Sequence, residues 1–435
     1  MKKAIGWIVL ILFSISIIFF TNKNNKQYSI TCNDKDVKVE LKYKGLESAV
    51  DFIKDEKNNY YIAFKDKIVV IEENGKSYVL LQDNDFNIGS LEYFNNNLYI
   101  ATKDKIIAYN INSKEQIECM SGIPNYGDYT KTLIRARGEY LFITVGAATN
   151  SGIVGEDNTW LKDYPNHHDV TPKKITLQGI NFGPSNTGAF VPNNTSNIKG
   201  QTIEGNKIGT SSVIIYNLNT KAYETFAWGI RNINGLDFSS EGKLYATVGG
   251  IENRGFRPVL NDSDYIYDIK KEVWHGFPDF SGGDPVTSPR FADAKNDTNS
   301  FLLEKHPTNN PPAPVYQHDD VSTLGPLCID SKGILGNKDK IYFYDKNNNK
   351  ILSYTIKETS KDFIDLGEKS NIASMKMVND QLIILENNEG ILYSASFKDG
   401  DTSSYMRNNL YISLLVLTIT FIISIILLLL KKQSK

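Results

Sequence analysis

The sequence has little of several features that define common protein classes. Only three cysteines occur in 435 residues, Cys32, Cys119 and Cys328, and they are scattered along the chain. Their spacing matches neither a disulfide framework nor a zinc motif. Positive and negative charges nearly cancel, with 48 Lys and Arg against 50 Asp and Glu, so no basic surface for nucleic acid is expected. A hydrophobic content of 41% excludes both wholesale disorder and a multispanning membrane protein.

Long hydrophobic runs are missing from the interior of the chain but occur at both ends. Residues 4–20 are apolar except for Ser14 and Ser16, and they follow Lys2 and Lys3. This length is at the short limit for a membrane span. We predict that residues 1–23 are an uncleaved N-terminal signal anchor. A cleaved signal peptide is the alternative, although no small-x-small cleavage site stands where the apolar run ends.

The second apolar run predicts a C-terminal transmembrane helix at residues 408–431. Residues 410–430 carry no charge, and Lys431, Lys432 and Lys435 follow at once. By the positive-inside rule, both lysine clusters stay in the cytoplasm. The sequence therefore predicts a protein of the cell membrane, held by both termini, with its central domain outside the cell.

Between these ends, short runs of Tyr, Ile, Val and Phe alternate with turn residues, which predicts an all-β fold. Residues 59–71 and 97–109 are nearly the same text at an offset of 38 residues. Each predicts a strand, a Lys-Asp-Lys turn and a second strand. A repeat of about 40 residues made of short antiparallel strands is typical of a β-propeller blade.

The predicted propeller covers residues 33–400. That length leaves room for six or seven blades after a long insert at residues 147–211 is subtracted, and we predict six. The insert is rich in Gly, Asn, Thr and Pro and is too long for a hairpin connection. We expect it to cover one end of the channel, where ligands bind.

Several motifs between residues 130 and 291 resemble the glucose/sorbosone dehydrogenase family in order and spacing. They are Ala227-Trp-Gly-Ile-Arg-Asn-Ile-Asn-Gly-Leu236, Gly242-Lys-Leu-Tyr-Ala-Thr-Val-Gly-Gly250, Arg254-Gly-Phe-Arg-Pro258 and Trp274-His-Gly-Phe-Pro-Asp-Phe-Ser-Gly-Gly283. The resemblance implies a six-bladed propeller that oxidises a sugar, in some members with pyrroloquinoline quinone (PQQ) as cofactor.

The resemblance also implies a cofactor site. Arg231 and Asn232 would hold PQQ, since a guanidinium beside an amide suits the carboxylates and the dione of a quinone. A turn capped by Arg231 is the alternative. Gly249 and Gly250 would place backbone carbonyls near a calcium ion, and Asp264 would add a hard oxygen ligand. Turn chemistry is the alternative for Asp264.

One position departs from the family pattern. Where the family has a histidine as general base, this sequence has Asp128, and aspartate is the weaker proton acceptor at neutral pH. Lys131 follows closely and offers a cation for a cofactor carboxylate. No histidine stands at the base position, so the sequence lowers the expectation of the ordinary reaction.

Two functions from different classes follow. The first is a membrane-anchored extracellular quinoprotein-like oxidoreductase of sugars or of sugar-derived alcohols and aldehydes, with Asp128 near the reacting hydroxyl. The alternative is a catalytically degenerate propeller that binds a surface glycan or a protein. Trp274, Phe277 and Phe280 are expected to be packing aromatics, with sugar stacking as their alternative role.

Overall fold

The computed structural model describes residues 30–398, and this part of the chain consists almost entirely of short β-strands. The predicted anchor at residues 1–23 and the predicted helix at 408–431 lie outside the described residues. No helix within residues 30–398 has the length and apolar character needed to cross a membrane. Two short 3-10 helices occur, at Thr159–Lys162 and Pro289–Phe291.

The strands are named here in chain order. The first half contains β1 (Thr31–Cys32), β2 (Val37–Lys44), β3 (Asp51–Lys54), β4 (Tyr60–Ala63), β5 (Lys67–Ile71), β6 (Ser77–Gln82), β7 (Ser90–Phe94), β8 (Asn97–Ala101), β9 (Ile106–Asn110), β10 (Gln116–Met120), β11 (Ile134–Arg137), β12 (Tyr140–Val145), β13 (Ile175–Leu177), β14 (Thr202–Ile203), β15 (Ser212–Asn217) and β16 (Tyr223–Trp228). The second half contains β17 (Ile233–Phe238), β18 (Leu244–Val248), β19 (Tyr265–Ile269), β20 (Phe280–Ser281), β21 (Asp284–Pro285), β22 (Leu303–Lys305), β23 (Tyr316–Gln317), β24 (Leu324–Asp330), β25 (Lys340–Asp345), β26 (Lys350–Tyr354), β27 (Lys361–Asp365), β28 (Ile372–Val378), β29 (Gln381–Glu386) and β30 (Ile391–Phe397).

Six antiparallel blades form a closed propeller within the described residues. Blade 1 contains β3–β6, and blade 2 contains β7–β10. Blade 3 contains β11, β12, β15 and β16, and blade 4 contains β17, β18, β19 and β23. Blade 5 contains β24–β27, and blade 6 contains β28–β30. The N-terminal strand β2 completes the sixth blade by pairing with β30, and β1 adds a fifth strand to the fifth blade. The first strands of the six blades contact one another in a ring, so the prediction of six blades is confirmed.

The hydrophobic core is divided into layers between neighbouring blades. In β4, Tyr61 and Ala63 pack towards blade 2, whereas Tyr60 and Ile62 pack towards blade 6. Successive side chains of a strand point to opposite faces, so each blade needs an apolar neighbour on both sides. This explains the repeat in the sequence: residues 59–71 form β4 and β5, and residues 97–109 form β8 and most of β9, with the turn before Lys67 closed by the Phe64 amide.

The segment at 147–211 connects β12 to β15 inside blade 3 and shares a small apolar core with residues between β19 and β23. Its strand β13 pairs with β14 and also with β22, which belongs to a second long segment between β19 and β23. The sequence analysis did not identify this second insertion. The two insertions pack together beside blades 3 and 4, and their contact positions several polar side chains described next.

Candidate functional site at the channel mouth

The first strand of each blade faces the central channel and brings charged side chains into it. Lys376 of β28 lies 3.1 Å from the carboxylate of Asp51 in β3. Arg135 of β11 lies 3.4 Å from Glu92 and 3.8 Å from Asp237. These groups are spaced by up to 325 positions in the chain. The two cations, Lys376 and Arg135, face three carboxylates in a charge network that lines the channel.

Above this network, two lysines stand at the end of the channel where the inner strands begin. Lys131 precedes β11, and its ammonium donates to the Ala373 carbonyl at 3.1 Å. Lys346 follows β25, and its Cε lies 3.4 Å from the position that a methyl group on Gly325 of β24 would take. Between residues 30 and 398, neither ammonium has a carboxylate within ion-pair distance. Asn232, directly before β17, completes what we call the channel mouth: Lys131, Asn232 and Lys346.

The electrostatics of the channel mouth favour an anion. Both lysine residues are exposed to solvent, although the surrounding protein partly desolvates their ammonium groups. Burial lowers the pKa of Lys131; Asp51 opposes this shift, and the like charge of Lys346 adds to it. Burial also lowers the pKa of Lys346. A bound anion would relieve the repulsion between the two ammonium groups and restore their pKa values.

Arg231 and Asn232 are adjacent in sequence, but their side chains form hydrogen bonds with different segments of the chain. The Arg231 side chain is only 3% exposed. Its Nε donates to the Asn150 carbonyl at 2.8 Å, and its terminal nitrogen donates to Asn150 Oδ1 at 2.6 Å and to the Tyr129 hydroxyl. Asn232 instead donates to Asn234 Oδ1 at 2.9 Å. A methyl group on Gly249 would lie 3.3 Å from Arg231 Nη1 and 3.8 Å from Asn232 Nδ2, so one terminal nitrogen of Arg231 lies near Asn232 while its other nitrogens hold the start of the insert.

Asp128, the predicted catalytic residue, is held by the insert rather than left open to a substrate. It accepts hydrogen bonds from Trp160 Nε1 at 2.7 Å and from Asn158 Nδ2 at 3.1 Å, and its carboxylate lies 2.6 Å from Arg254. A carboxylate bound by a guanidinium and two further donors is held in place and has few lone-pair sites left for a substrate hydroxyl. The geometry supports an anchoring role for Asp128, and its catalytic role stays a prediction.

Arg254 is the centre of this arrangement, and the sequence analysis did not single it out. Its guanidinium binds Asp128, Asp157 at 2.6 Å and Glu252, and it also donates to the Tyr129 hydroxyl at 3.1 Å. The partners come from blade 3, the insert and the loop after β18, so one side chain joins three segments. Its position in the quoted Arg254-Gly-Phe-Arg-Pro258 motif was the only signal in the sequence.

Backbone amides bind the carboxylate of Asp264, and Gly249 and Gly250 lie against neighbouring backbone. Asp264 Oδ1 accepts from the amides of Gly250 and Ser322, and Oδ2 accepts from those of Thr323 and Leu324. Each carboxylate oxygen has about two lone-pair sites, so these four donors fill both oxygens. A side chain at Gly250 would lie 2.1 Å from the Ser263 carbonyl, and the Gly249 amide donates to the Asn232 carbonyl.

These contacts do not fit a calcium ion. Asp264 has no lone pair to offer unless four backbone hydrogen bonds break, and no group of three His, Cys, Asp or Glu side chains in residues 30–398 could hold a metal. The contacts of Asp264 therefore do not support its predicted metal role, and the predicted carbonyl ligands from Gly249 and Gly250 stay a prediction. Asp264 orders the segment that leads into β24.

Glu252 gives this region a testable pH dependence. Burial opposes ionisation, but Arg231, Ser322 and Arg254 outweigh it and lower the pKa of Glu252 to about 2. Because this value lies below the usual pKa of about 4.3 for an unfolded chain, the stabilisation is complete above that pH and is lost as the pH falls towards 2. We expect Glu252→Gln to destabilise the protein at pH 7 and to weaken the loss of stability between pH 4.5 and 2 in urea denaturation. An unchanged acid profile in the variant would contradict this assignment.

Of the comparisons with known proteins, the one with solved structures finds similar chains. No protein-family model and no curated protein sequence matches the chain. Among solved structures, the chain is similar to a carbohydrate-active enzyme of family AA12 from Trichoderma reesei in a calcium structure, with 11% identity, a TM-score of 0.59, and 86% of this chain and 99% of that chain covered. It is also similar to the PQQ domain of pyranose dehydrogenase from Coprinopsis cinerea, with 11% identity, a TM-score of 0.56, and 85% and 97% covered.

A third similar structure is the PQQ-bound form of aldose sugar dehydrogenase from Streptomyces coelicolor, with 11% identity, a TM-score of 0.53, and 84% and 99% covered. The chain thus has the propeller fold of the PQQ-type sugar dehydrogenases, and the resemblance seen in its sequence motifs is confirmed at the level of fold. At such low identity the likeness establishes the architecture, and function has to be argued from the site.

Proposed function

We propose that this protein is a quinoprotein-like oxidoreductase of sugars or sugar-derived alcohols and aldehydes that binds PQQ at the channel mouth. The observation that carries the proposal is the pair of lysines, Lys131 and Lys346, whose charges repel each other and which have no carboxylate within ion-pair distance among the described residues. Two cations and an amide match the carboxylates and carbonyls of this quinone. The shared fold with PQQ-type dehydrogenases supports the same reading.

In this proposal, different residues of the chain bind and orient the cofactor. Lys131 and Lys346 bind the anionic edge of the cofactor, and Asn232 orients it by hydrogen bonding. Bound PQQ would supply an acceptor for the electrons of an alcohol or aldehyde. Calcium is not included, because four backbone amides already bind the carboxylate of Asp264. Asp128 stays bonded to Arg254 and Trp160, so a general base is lacking and turnover is expected to be about 10²- to 10⁴-fold below that of a base-assisted enzyme.

The cellular setting of the proposal rests on the ends of the chain. Apolar segments flanked by lysines at residues 1–23 and 408–431 support anchoring in the cell membrane by both termini. The propeller would then act outside the cell, with both termini in the cytoplasm. Protease added to intact cells should leave both lysine clusters protected.

The test uses the purified full-length chain. PQQ is titrated with and without EDTA and followed by absorbance, and dye reduction is then measured with a panel of aldoses and their aldehydes. We expect saturable PQQ binding that EDTA does not abolish, together with slow reduction that depends on sugar. Failure to bind PQQ at micromolar concentrations would reject the proposal.

A second function is favoured by one specific observation, the bonding of Asp128 to Arg254, Asn158 and Trp160. A protein that had lost its base could use the same fold as a surface module for a carbohydrate or protein. The same experiment separates the two functions, since a binding module would show ligand binding without dye reduction.

A further inference from the structure

A second cavity lies away from the channel, on the outer side between blades 3 and 4. Its volume is about 630 Å³, within the range of small-molecule sites, and none of its lining residues faces the channel. It is bordered by Trp228 at the end of β16, by the segment after β19 and by the proline-rich run at residues 307–313. The channel-mouth proposal uses none of these segments.

The walls of this cavity, which we call the lateral groove, are fixed by interactions behind them. The His275 amide donates to the Trp228 carbonyl at 2.8 Å, which ties the two sides of the groove together. Trp274 is 3% exposed and stacks on His306 with ring centres 5.6 Å apart. His306 in turn contacts Asp279 at 3.0 Å. A groove with such supported walls is largely preformed, so binding would cost little ordering entropy.

The polar groups of the lateral groove are mixed in sign. Lys270 and Glu272 are exposed at its rim, and neither is in an ion pair within residues 30–398. Asp284 is neutralised by Arg290 at 2.8 Å. Asn310 adds an amide from the opposite wall. Lys270 and Glu272 are of opposite sign, and Lys173, outside the lining, adds a further ammonium near Trp228, so the groove offers both donors and acceptors for hydroxyl groups.

Trp228 supplies a partly exposed aromatic ring to the groove, beside the apolar surface of Val273 and the prolines. Trp228 lines the groove between the polar rim residues and the proline wall, and the ammonium of Lys173 lies 5.8 Å from its ring centre. A flat aromatic surface surrounded by carboxylate, amide and ammonium groups suits a ring with an apolar face and a polar circumference. A pyranose has this form.

We infer that the lateral groove is a second binding site, for a neutral saccharide chain, with Trp228 under a sugar ring and Glu272 and Asn310 on its hydroxyl groups. This site is independent of the cofactor. It would hold the protein on a polysaccharide whether or not the channel mouth is redox active.

The experiment uses the full-length protein in a detergent without a sugar headgroup. Cellopentaose, maltopentaose and chitopentaose are titrated by calorimetry and by tryptophan fluorescence. We expect at least one to bind, and we expect Trp228→Ala to weaken it by about tenfold or more because the stacking surface is lost. Glu272→Ala, at an exposed position, should also weaken binding. The matched control Glu241→Ala removes an exposed carboxylate elsewhere and should leave binding unchanged.

Two further arms separate this site from the channel mouth. Lys346→Ala should leave saccharide binding unaltered, and PQQ titration should be unaffected by Glu272→Ala. Absence of binding by all three saccharides at millimolar concentration would overturn the inference. So would equal binding by the wild type and Glu272→Ala if Trp228→Ala does not fold, or loss of binding in Lys346→Ala.

Discussion

The double replacement Lys131→Ala and Lys346→Ala should lower the affinity for PQQ by about 100-fold or more. Each hydrogen bond to a charged group contributes about 1.5–3 kcal/mol, and the double variant removes two such donors from the channel mouth. Lys131 also donates to the Ala373 carbonyl, and its replacement removes that hydrogen bond as well. Absorbance titration of the full-length protein measures the effect directly.

A matched control removes the same charge elsewhere. Lys57 and Lys332 are exposed, and Lys332 is in an ion pair with Asp380 in which both side chains are more than 70% exposed. Lys57→Ala with Lys332→Ala should leave PQQ affinity within about twofold, because exposed pairs contribute little. Equal losses in the two double variants would show that overall charge, and not the channel mouth, governs binding.

Arg257→Met should produce the largest loss of stability in the protein, about 3–5 kcal/mol in the free energy of unfolding. Arg257 and Asp279 are both fully buried, with 2.8 Å between guanidinium and carboxylate. Arg257 also donates to the carbonyls of Pro278 and Ser300. Methionine keeps the apolar stem but leaves a buried carboxylate without its cation. Chemical denaturation at neutral pH gives the magnitude.

The comparison for this prediction is an exposed ion pair. Lys243 and Glu241 are 53% and 70% exposed, and Lys243→Met should change the unfolding free energy by less than about 1 kcal/mol. Because Asp279 also holds His306, which stacks on Trp274, Arg257→Met should loosen the wall of the lateral groove as well. A loss no larger than that of Lys243→Met would mean that the buried pair does not stabilise this region.

The repeat of residues 59–71 at 97–109 was sufficient to predict blades, because every blade must bury both faces and therefore repeats the same alternation of apolar residues. The strand that closes the propeller, β2, could not be predicted from a repeat in the sequence. β2 pairs with β30 across almost the whole described chain, and no local pattern indicates a partner so distant. The second insertion, between β19 and β23, also went unrecognised because its short strands have little periodicity.

The candidate site also combines positions that sequence motifs could indicate with contacts that only the fold reveals. Motif order pointed to Asn232 and Lys131, which precede the inner strands β17 and β11, and their cofactor-binding roles stay a prediction. The motif did not reveal that Arg231 bonds to Asn150 or that a second lysine, Lys346, lies near enough to Lys131 to affect its pKa.

The sequence by itself determined the class of fold, because alternation and repeat are local properties that each blade expresses separately. Only the tertiary structure decided which polar side chains remain available for a ligand. Asp128, Arg231 and Asp264 each have the right chemistry for the predicted site, yet partners up to 126 positions away bind both carboxylates and the Nε and one terminal nitrogen of Arg231. Hydrogen bonds and charge pairs depend on distance in space, so the sequence could name these residues as candidates and only the fold could assign them to structure.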